Sequence, residues 1–262
     1  KKFLEEQKQE ITDSIMYAQR IQQTVLPNSN TVSSILKENF IIYYPKDIVS
    51  GDFFWVTELN DWSIFAVADC TGHGVPGAFM SMLGVSFLNE IVRKKEVTKA
   101  GDVLNLLRFS IIEALQQKGN IFEQQDGMDI AFCAFNKKTN ILQFAGANNP
   151  LWIVTQGELQ EFKGDKMPIG IYEKMDSFKT HEIVINKGDC IYLMSDGYQD
   201  QFGGPYRKKF QIKRLRNLIA DISHKPMSEQ KILLEKTFDE WLHQGGENNH
   251  QIDDVTVLGI KI

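Results

Sequence analysis

The sequence is short of the residues that usually mark a metal or redox site. It holds three cysteines and five histidines, and none of them fall at metal-ligand spacing, which argues against zinc-type Cys–His ligation. Cys70, Cys133 and Cys190 sit at or in predicted strands. At least Cys133 and Cys190 read as buried thiols of a reducing compartment, so the expected location is the cytoplasm. No secretory core is present, and no apolar run is read as long enough to span a membrane. Excess positive charge is missing as well. The formal net charge is -5, which gives no support to a nucleic-acid partner. Repeats and low-complexity tracts are absent. So is an initiating methionine: the chain starts at Lys1 inside a helical pattern, and reads as an excised piece of something longer.

What is there fits one sizeable domain with an appendage, at 262 residues, 42% of them hydrophobic. The appendage is residues 1–27. Leu4, Ile11, Ala18 and Val25 repeat at heptad spacing, widened by Ile15, Ile21 and Leu26, and Pro27 ends the helix. This seam belongs either to an ordinary helix packed on its own domain or to a linker that pairs two copies and relays a signal from an upstream sensor module. Residues 28–262 form the main body. Strands are predicted at 40–45, 52–59, 62–69, 129–135, 141–146, 151–155, 159–162, 180–185 and 190–196, with a last one in "VTVLGIKI". Helices are predicted at 77–95, at 101–118 with a cap near Asp102, and at 208–222 and 227–243, followed by a polar loop at 243–251. The helices come in pairs instead of alternating with strands. That pattern predicts an α+β fold, a sandwich of antiparallel sheets with helices outside.

Within this frame, "SIFAVADCTGHGVPGAFMSMLG" stands out. A hydrophobic strand ends on Asp69, then passes through Gly72, Gly74 and Gly77 before turning helical. An acid just beyond a buried strand is costly unless it is hydrogen-bonded, solvated or metal-bound, and the glycines let the backbone approach something closely. Other acids share the arrangement. Asp52 opens one strand, Asp196 closes another, and Asp253 with Asp254 precedes the last. Singly, each reads as a cap, an Asx turn or an edge charge. As a converging set they would repel one another unless cations lay between them. All-oxygen ligation favours Mg²⁺ or Mn²⁺, and a pair of such ions activates water for attack on a phosphoryl group. No side-chain nucleophile is then needed, so Ser81, Ser86 and Ser195 read as structural.

At these residues the sequence resembles the PP2C-like (PPM) metal-dependent serine/threonine phosphatases, and within them the bacterial branch typified by SpoIIE and RsbU. The matching pieces are "SGDFFW", "ADCTGHGVPGAFMS", "FAGANNPLWIV", "GDKMPIGI", "YLMSDGYQDQFG" and "DDVTVLGI", in order, with "AQRIQQTVLP" as a helical lead-in. The resemblance implies a four-layer α-β-β-α sandwich and two Mn²⁺ or Mg²⁺ ions, with a weaker third. It implies that Asp69 bridges both ions, that the Cys70 carbonyl joins one, and that Asp196, Asp253 and Asp52 hold or flank the other. Asp254 is expected to orient Asp253. Asp126 is expected near the third ion, with Asp129 as the alternative.

The chain departs from the pattern at Trp55, where a second acid is usual, and at Cys70, whose thiol is flagged for oxidation or soft ions. The phosphate-gripping arginine of eukaryotic members is not evident. Lys46 reads as a surface lysine or as a substitute for it. His73 is either a second donor near the reacting oxygens or a residue fixing the turn. By resemblance, the helix after Gly77 is a movable switch and the N-terminal helix its input. The implied function is hydrolysis of phosphoserine or phosphothreonine on a signalling protein of the anti-anti-sigma kind, as the output domain of a larger regulator. A small-molecule phosphomonoesterase and a catalytically silent scaffold are the alternatives.

Overall fold

The computed structural model describes residues 2–94, 99–119, 126–244 and 249–262. The chain opens with α1 (Lys2–Val25) and α2 (Ser29–Leu36), then enters β1 (Glu38–Tyr44), β2 (Phe53–Leu59) and β3 (Trp62–Cys70). Next come α3 (Gly74–Leu88), which continues as a π-helical turn at Asn89–Lys94, and α4 (Ala100–Ala114). The strands β4 (Met128–Asn136), β5 (Ile141–Ala147), β6 (Leu151–Thr155), β7 (Glu158–Phe162), β8 (His181–Val184) and β9 (Cys190–Met194) follow. A short α5 (Gly197–Asp200) leads to the two-residue strands β10 (Phe202–Gly203) and β11 (Lys208–Lys209). The chain closes with α6 (Ile212–Ile222), α7 (Met227–His243) and β12 (Val255–Lys261).

Two five-stranded sheets, β1-β12-β9-β6-β7 and β2-β3-β4-β5-β8, pack face to face, and every pairing is antiparallel. One apolar cluster fills the space between them, with Val56, Phe65, Cys133 and Phe144 from one sheet against Ile153, Leu193 and Leu258 from the other. A second cluster seats α3 and α4 on the outer face of the second sheet. A third seats α6 and α7 on the outer face of the first. The result is four layers, α-β-β-α. Covering both faces explains why the central strands read as nearly continuous apolar runs, with all five residues of β9 buried.

Register then fixes where the acids go. Phe53 pairs with Ala68, which puts the start of β2 beside the end of β3. Val257 pairs with Met194, which puts the start of β12 beside the end of β9. Asp52, Asp69, Asp196 and Asp253 therefore leave their strands at one rim of the sandwich.

The structure corrects several local expectations. No helix was predicted where α2 forms; Asn28 caps it by accepting a hydrogen bond from the Thr31 amide at 2.9 Å. Asp102 lies in the first turn of α4 and does not cap it. Its first amides are instead met from β5 and from beyond: Ala100 donates to Gln143 Oε1 and Gly101 to Thr180 Oγ1. The helix expected from 208 begins only at Ile212, because Phe210 is hydrogen-bonded back to Gln201 and Gln211 has a φ of 76°. Gly74–Arg93 does have the length and hydropathy of a membrane span, contrary to expectation. In this fold Val85, Leu88, Ile91 and Val92 of that stretch are buried in the core. The expected helix end at residue 95 and the loop residues 245–248 lie outside the described residues.

Candidate active site

A cleft of about 350 Å³ opens at the acidic rim, walled by Asp69, Asp129, Asp196 and Asp253, with His73 and the backbone of residues 70–72 beside them. Asp69 and Asp129 are directly opposed across the β3–β4 ladder, so their side chains share a face. Asp129 accepts a hydrogen bond from Asn148 Nδ2 at 2.8 Å. Asp52 lies deeper, fully buried, and accepts a hydrogen bond from Ser195 Oγ at 2.5 Å. Ser195 Oγ in turn accepts from the Thr256 amide at 3.0 Å, so this serine is committed to positioning and is not free as a nucleophile. Asp196 occupies the N-cap position of α5, yet its side chain makes no capping hydrogen bond. Its carboxyl faces the cleft instead.

The glycines bring backbone against backbone. A Cβ at Gly51 would collide with the Gly72 carbonyl, and one at Gly77 would meet both that carbonyl and Gly51 Cα. Gly72 and Gly74 adopt φ of 82° and 65°, conformations that favour glycine. The close approach raised by the sequence is thus the chain to itself: the turn after Asp69 is locked to the loop before Asp52. Asp254 completes the lock. Its Oδ1 accepts from the Lys46 amide and its Oδ2 from the Gly51 amide, each at 2.7 Å. Its carboxylate therefore holds the 46–51 loop, and only its amide reaches Asp253, donating to Oδ1 at 2.9 Å. Gln22, the one buried residue of α1, joins from another side. Its Nε2 donates to the Ser50 carbonyl at 2.7 Å and to Ser81 Oγ of α3 at 2.9 Å, and its Oε1 accepts from the Ser50 amide.

Electrostatics mark the rim as strained. Burial, with Asp52, Asp196, Asp253 and Asp129 adding their fields, pushes the Asp69 carboxyl up to about 10. Burial likewise pushes Asp52 up to about 8, against the pull of the hydrogen bond from Ser195. Asp129, Asp196 and Asp253 are all raised, burial being the largest cause in each. Among the described residues no three carboxylate, imidazole or thiol groups already close on a single point as ligands; the acids surround a cleft. The donors are oxygen, half-buried and mutually repelling, which fits hard divalent cations and no soft ones.

Of the residues singled out in the sequence, Asp52, Asp69, Asp196, Asp253 and the Cys70 backbone are brought together. Asp126 is not: the cleft is walled by Asp129, while the Asp126 carbonyl accepts from Gln117 Nε2 at 2.5 Å. Local spacing could not show which acid lines the cleft, because the β3–β4 register is what sets Asp129 opposite Asp69. The Cys70 thiol is buried, and desolvation holds its pKa well above the ordinary value, so the expected reactivity is corrected to an inert packing group. Exposed at the rim, His73 accepts at Nε2 from Lys46 Nζ at 2.9 Å and donates from Nδ1 to Asp47 Oδ2 at 2.6 Å. Trp55, at the position of the missing acid, is core: it is buried, stacks on Phe132, and donates from Nε1 to Asn89 at 3.1 Å.

Comparison with known proteins agrees with this geometry. The SpoIIE family (Stage II sporulation protein E) matches over residues 61–262, well over half of the chain. No curated protein matches the sequence. Among solved structures, the SiaA-PP2C domain of Pseudomonas aeruginosa is 30% identical, with a TM-score of 0.86 over 97% of this chain and 98% of that one. The PP2C phosphatase domain of SpoIIE with a regulatory fragment, from Bacillus subtilis, is 18% identical. Its TM-score is 0.67 over 86% of this chain and 63% of that one. The RsbU and RsbW domains of a Mycobacterium tuberculosis protein are 21% identical, with a TM-score of 0.63 over 85% and 59%. These last two are likenesses of fold. The chain belongs to the SpoIIE family, and it is a metal-dependent serine/threonine phosphatase of the PP2C type.

Proposed function

We propose that this member of the SpoIIE family removes phosphate from phosphoserine or phosphothreonine of a small signalling protein of the anti-anti-sigma kind. In this reading it is the output domain, residues 28–262, of a larger cytoplasmic regulator with a sensor module upstream. The observation that carries the proposal is the convergence of Asp52, Asp69, Asp129, Asp196 and Asp253 from both sheets on one cleft. Asp69, Asp196, Asp253 and the Cys70 carbonyl would hold two Mn²⁺ or Mg²⁺ ions, with Asp52 alongside and Asp129, in place of Asp126, toward a weaker third. Such ions lower the pKa of bound water and offset charge developing on phosphoryl oxygens.

The chain's own residues do the positioning. Ser195, itself held by the Thr256 amide, holds Asp52, the Asp254 amide holds Asp253, and Asn148 holds Asp129. No nucleophilic side chain is required, because Ser195 is already engaged. The apolar seam of α1, with Leu4 and Ile11 exposed, supports a homodimer formed through this helix.

Phosphate release tests the function. It should occur with Mn²⁺ or Mg²⁺, stop with EDTA, and fall at least about a thousandfold in Asp69→Asn and Asp196→Asn. A phosphoserine protein should be turned over much faster than an aryl phosphate. The reverse preference would favour a metabolite hydrolase, and metal-independent release would sink the mechanism.

A further inference from the structure

Asp253 sits where two kinds of neighbour meet. On one side are the other acids. On the other is a short chain of hydrogen bonds, Asp47–His73–Lys46, built from the loop before β2 and the turn before α3. Lysine has donors only, so His73 Nε2 must accept from Lys46 Nζ (2.9 Å), and Nδ1 carries the proton given to Asp47 Oδ2 (2.6 Å). The tautomer is fixed, and the ammonium is aimed. Both ends of the chain are anchored. The Lys46 amide is held by Asp254 Oδ1 at 2.7 Å, and Asp47 Oδ2 lies against Gly74, where an added Cβ would sit 3.2 Å away.

A long lysine side chain on a rim normally stays in water with freely changing rotamers. This one is held, in a solvent-exposed contact, by a histidine that itself lines the cleft. No lysine or arginine is among the described residues that wall the cleft. Its acids would repel a phosphate dianion wherever bound cations did not fully offset them. The 2.9 Å contact to His73, which lines the cleft, holds the Lys46 ammonium at the cleft's edge. One of its three N–H groups is spent on His73, and two are left. The helical N-terminus of α3 begins at Gly74, next to His73, and adds positive potential to the same corner.

We propose that Lys46 binds the phosphoryl group of the substrate, with His73 and Asp47 as the residues that position it. The proposal deepens the phosphatase reading and rests on it. It assigns recognition of the phosphate dianion to a lysine, a point charge with donors, where a bidentate arginine fork is absent.

The test is calorimetric titration of inorganic phosphate into the Mn²⁺-loaded chain, with Michaelis kinetics on a phosphoserine protein alongside. Lys46→Ala should weaken phosphate binding and raise KM by about ten- to thirtyfold, the worth of a charged hydrogen bond. The change in kcat should be smaller, and Mn²⁺ affinity should hold within about twofold. Lys46→Arg should restore most of the phosphate affinity. His73→Phe should cost about threefold in a chain with Lys46 and nothing further in Lys46→Ala, the coupling expected of a positioning residue. Unchanged phosphate affinity in Lys46→Ala overturns the proposal. A parallel loss of Mn²⁺ affinity also overturns it, since the lysine would then be supporting the carboxylates. A wild-type chain that binds no Mn²⁺ would contradict the metal-centre reading instead. Phosphate held equally by wild type and variant in that case would still overturn the role of Lys46.

Discussion

Asp69 and Asp129 face one another across a strand pair, an arrangement of like charges that costs stability unless something lies between them. The sign of the resulting pH dependence follows from the direction of the shift. The Asp69 carboxyl is raised to about 10, chiefly by burial and then by its acidic neighbours, so the folded chain holds a proton that the unfolded chain releases. Its contribution to metal-free stability is complete below the ordinary carboxyl pKa and is lost as pH climbs toward 10. Asp69→Asn removes both the charge and this loss. Thermal unfolding in EDTA should therefore show the wild type weakening from pH 5 to pH 8, with the variant weakening less and exceeding it at pH 8 by about 1–3 kcal/mol. A variant less stable than wild type at pH 8 would mean that Asp69 is held by contacts and not strained by charge. At this scale the sequence was legible for the acids at strand ends and illegible for their partners. Asp254 was expected to orient Asp253, and its amide donates to Asp253 Oδ1, but its carboxylate is spent on the amides of Lys46 and Gly51, residues some two hundred positions away. Asp129, and not Asp126, lines the cleft for the same reason: cross-strand register is not a local property.

Among the elements, α1 is the least accounted for by the chain itself. Its last turns are docked through Gln22, which reaches both the loop before Asp52 and Ser81 of α3, and through Leu26, which packs on the core. Its first turns carry Leu4 and Ile11 largely in the open, 68% and 63% exposed. An apolar hollow continues from Ala18 and Ile21 to Val75, Ala78 and Phe79 of α3. The two readings of the heptad seam thus divide the helix between them, with the C-terminal end packed on the domain and the N-terminal end unpartnered. Sedimentation at about 50 µM should give a dimer, and Ile11→Glu with Ile21→Glu should convert it to a folded monomer, since both side chains are exposed. A wild-type monomer at that concentration would remove α1 from the dimer proposal. The sequence pattern gave α1 its bounds but missed α2, because "NSNTVSSIL" is made of residues that favour turns as readily as caps. What decides the case is one side-chain bond from Asn28.

Across the whole molecule, the fold was readable because its layers leave a periodic trace. Strands covered on both faces are apolar throughout, while helices arrive in pairs because each pair covers one outer face. The glycines were conspicuous in the sequence, but their meaning was not. They serve close backbone packing between the Asp52 loop, the Asp69 turn and α3, so the two halves of the rim and α3 meet at one lock. Motion of α3 or α1 would then be felt at the acids without any contact to substrate. The central claim is that these acids form a centre for hard divalent cations. Calorimetric titration of Mn²⁺ into the wild type and Asp69→Asn tests it most directly. The account predicts that the wild type takes up more than one ion and that the variant loses at least one of them, with the remaining affinity down by about a hundredfold. Binding that is absent in the wild type, or identical in the two proteins, would contradict it.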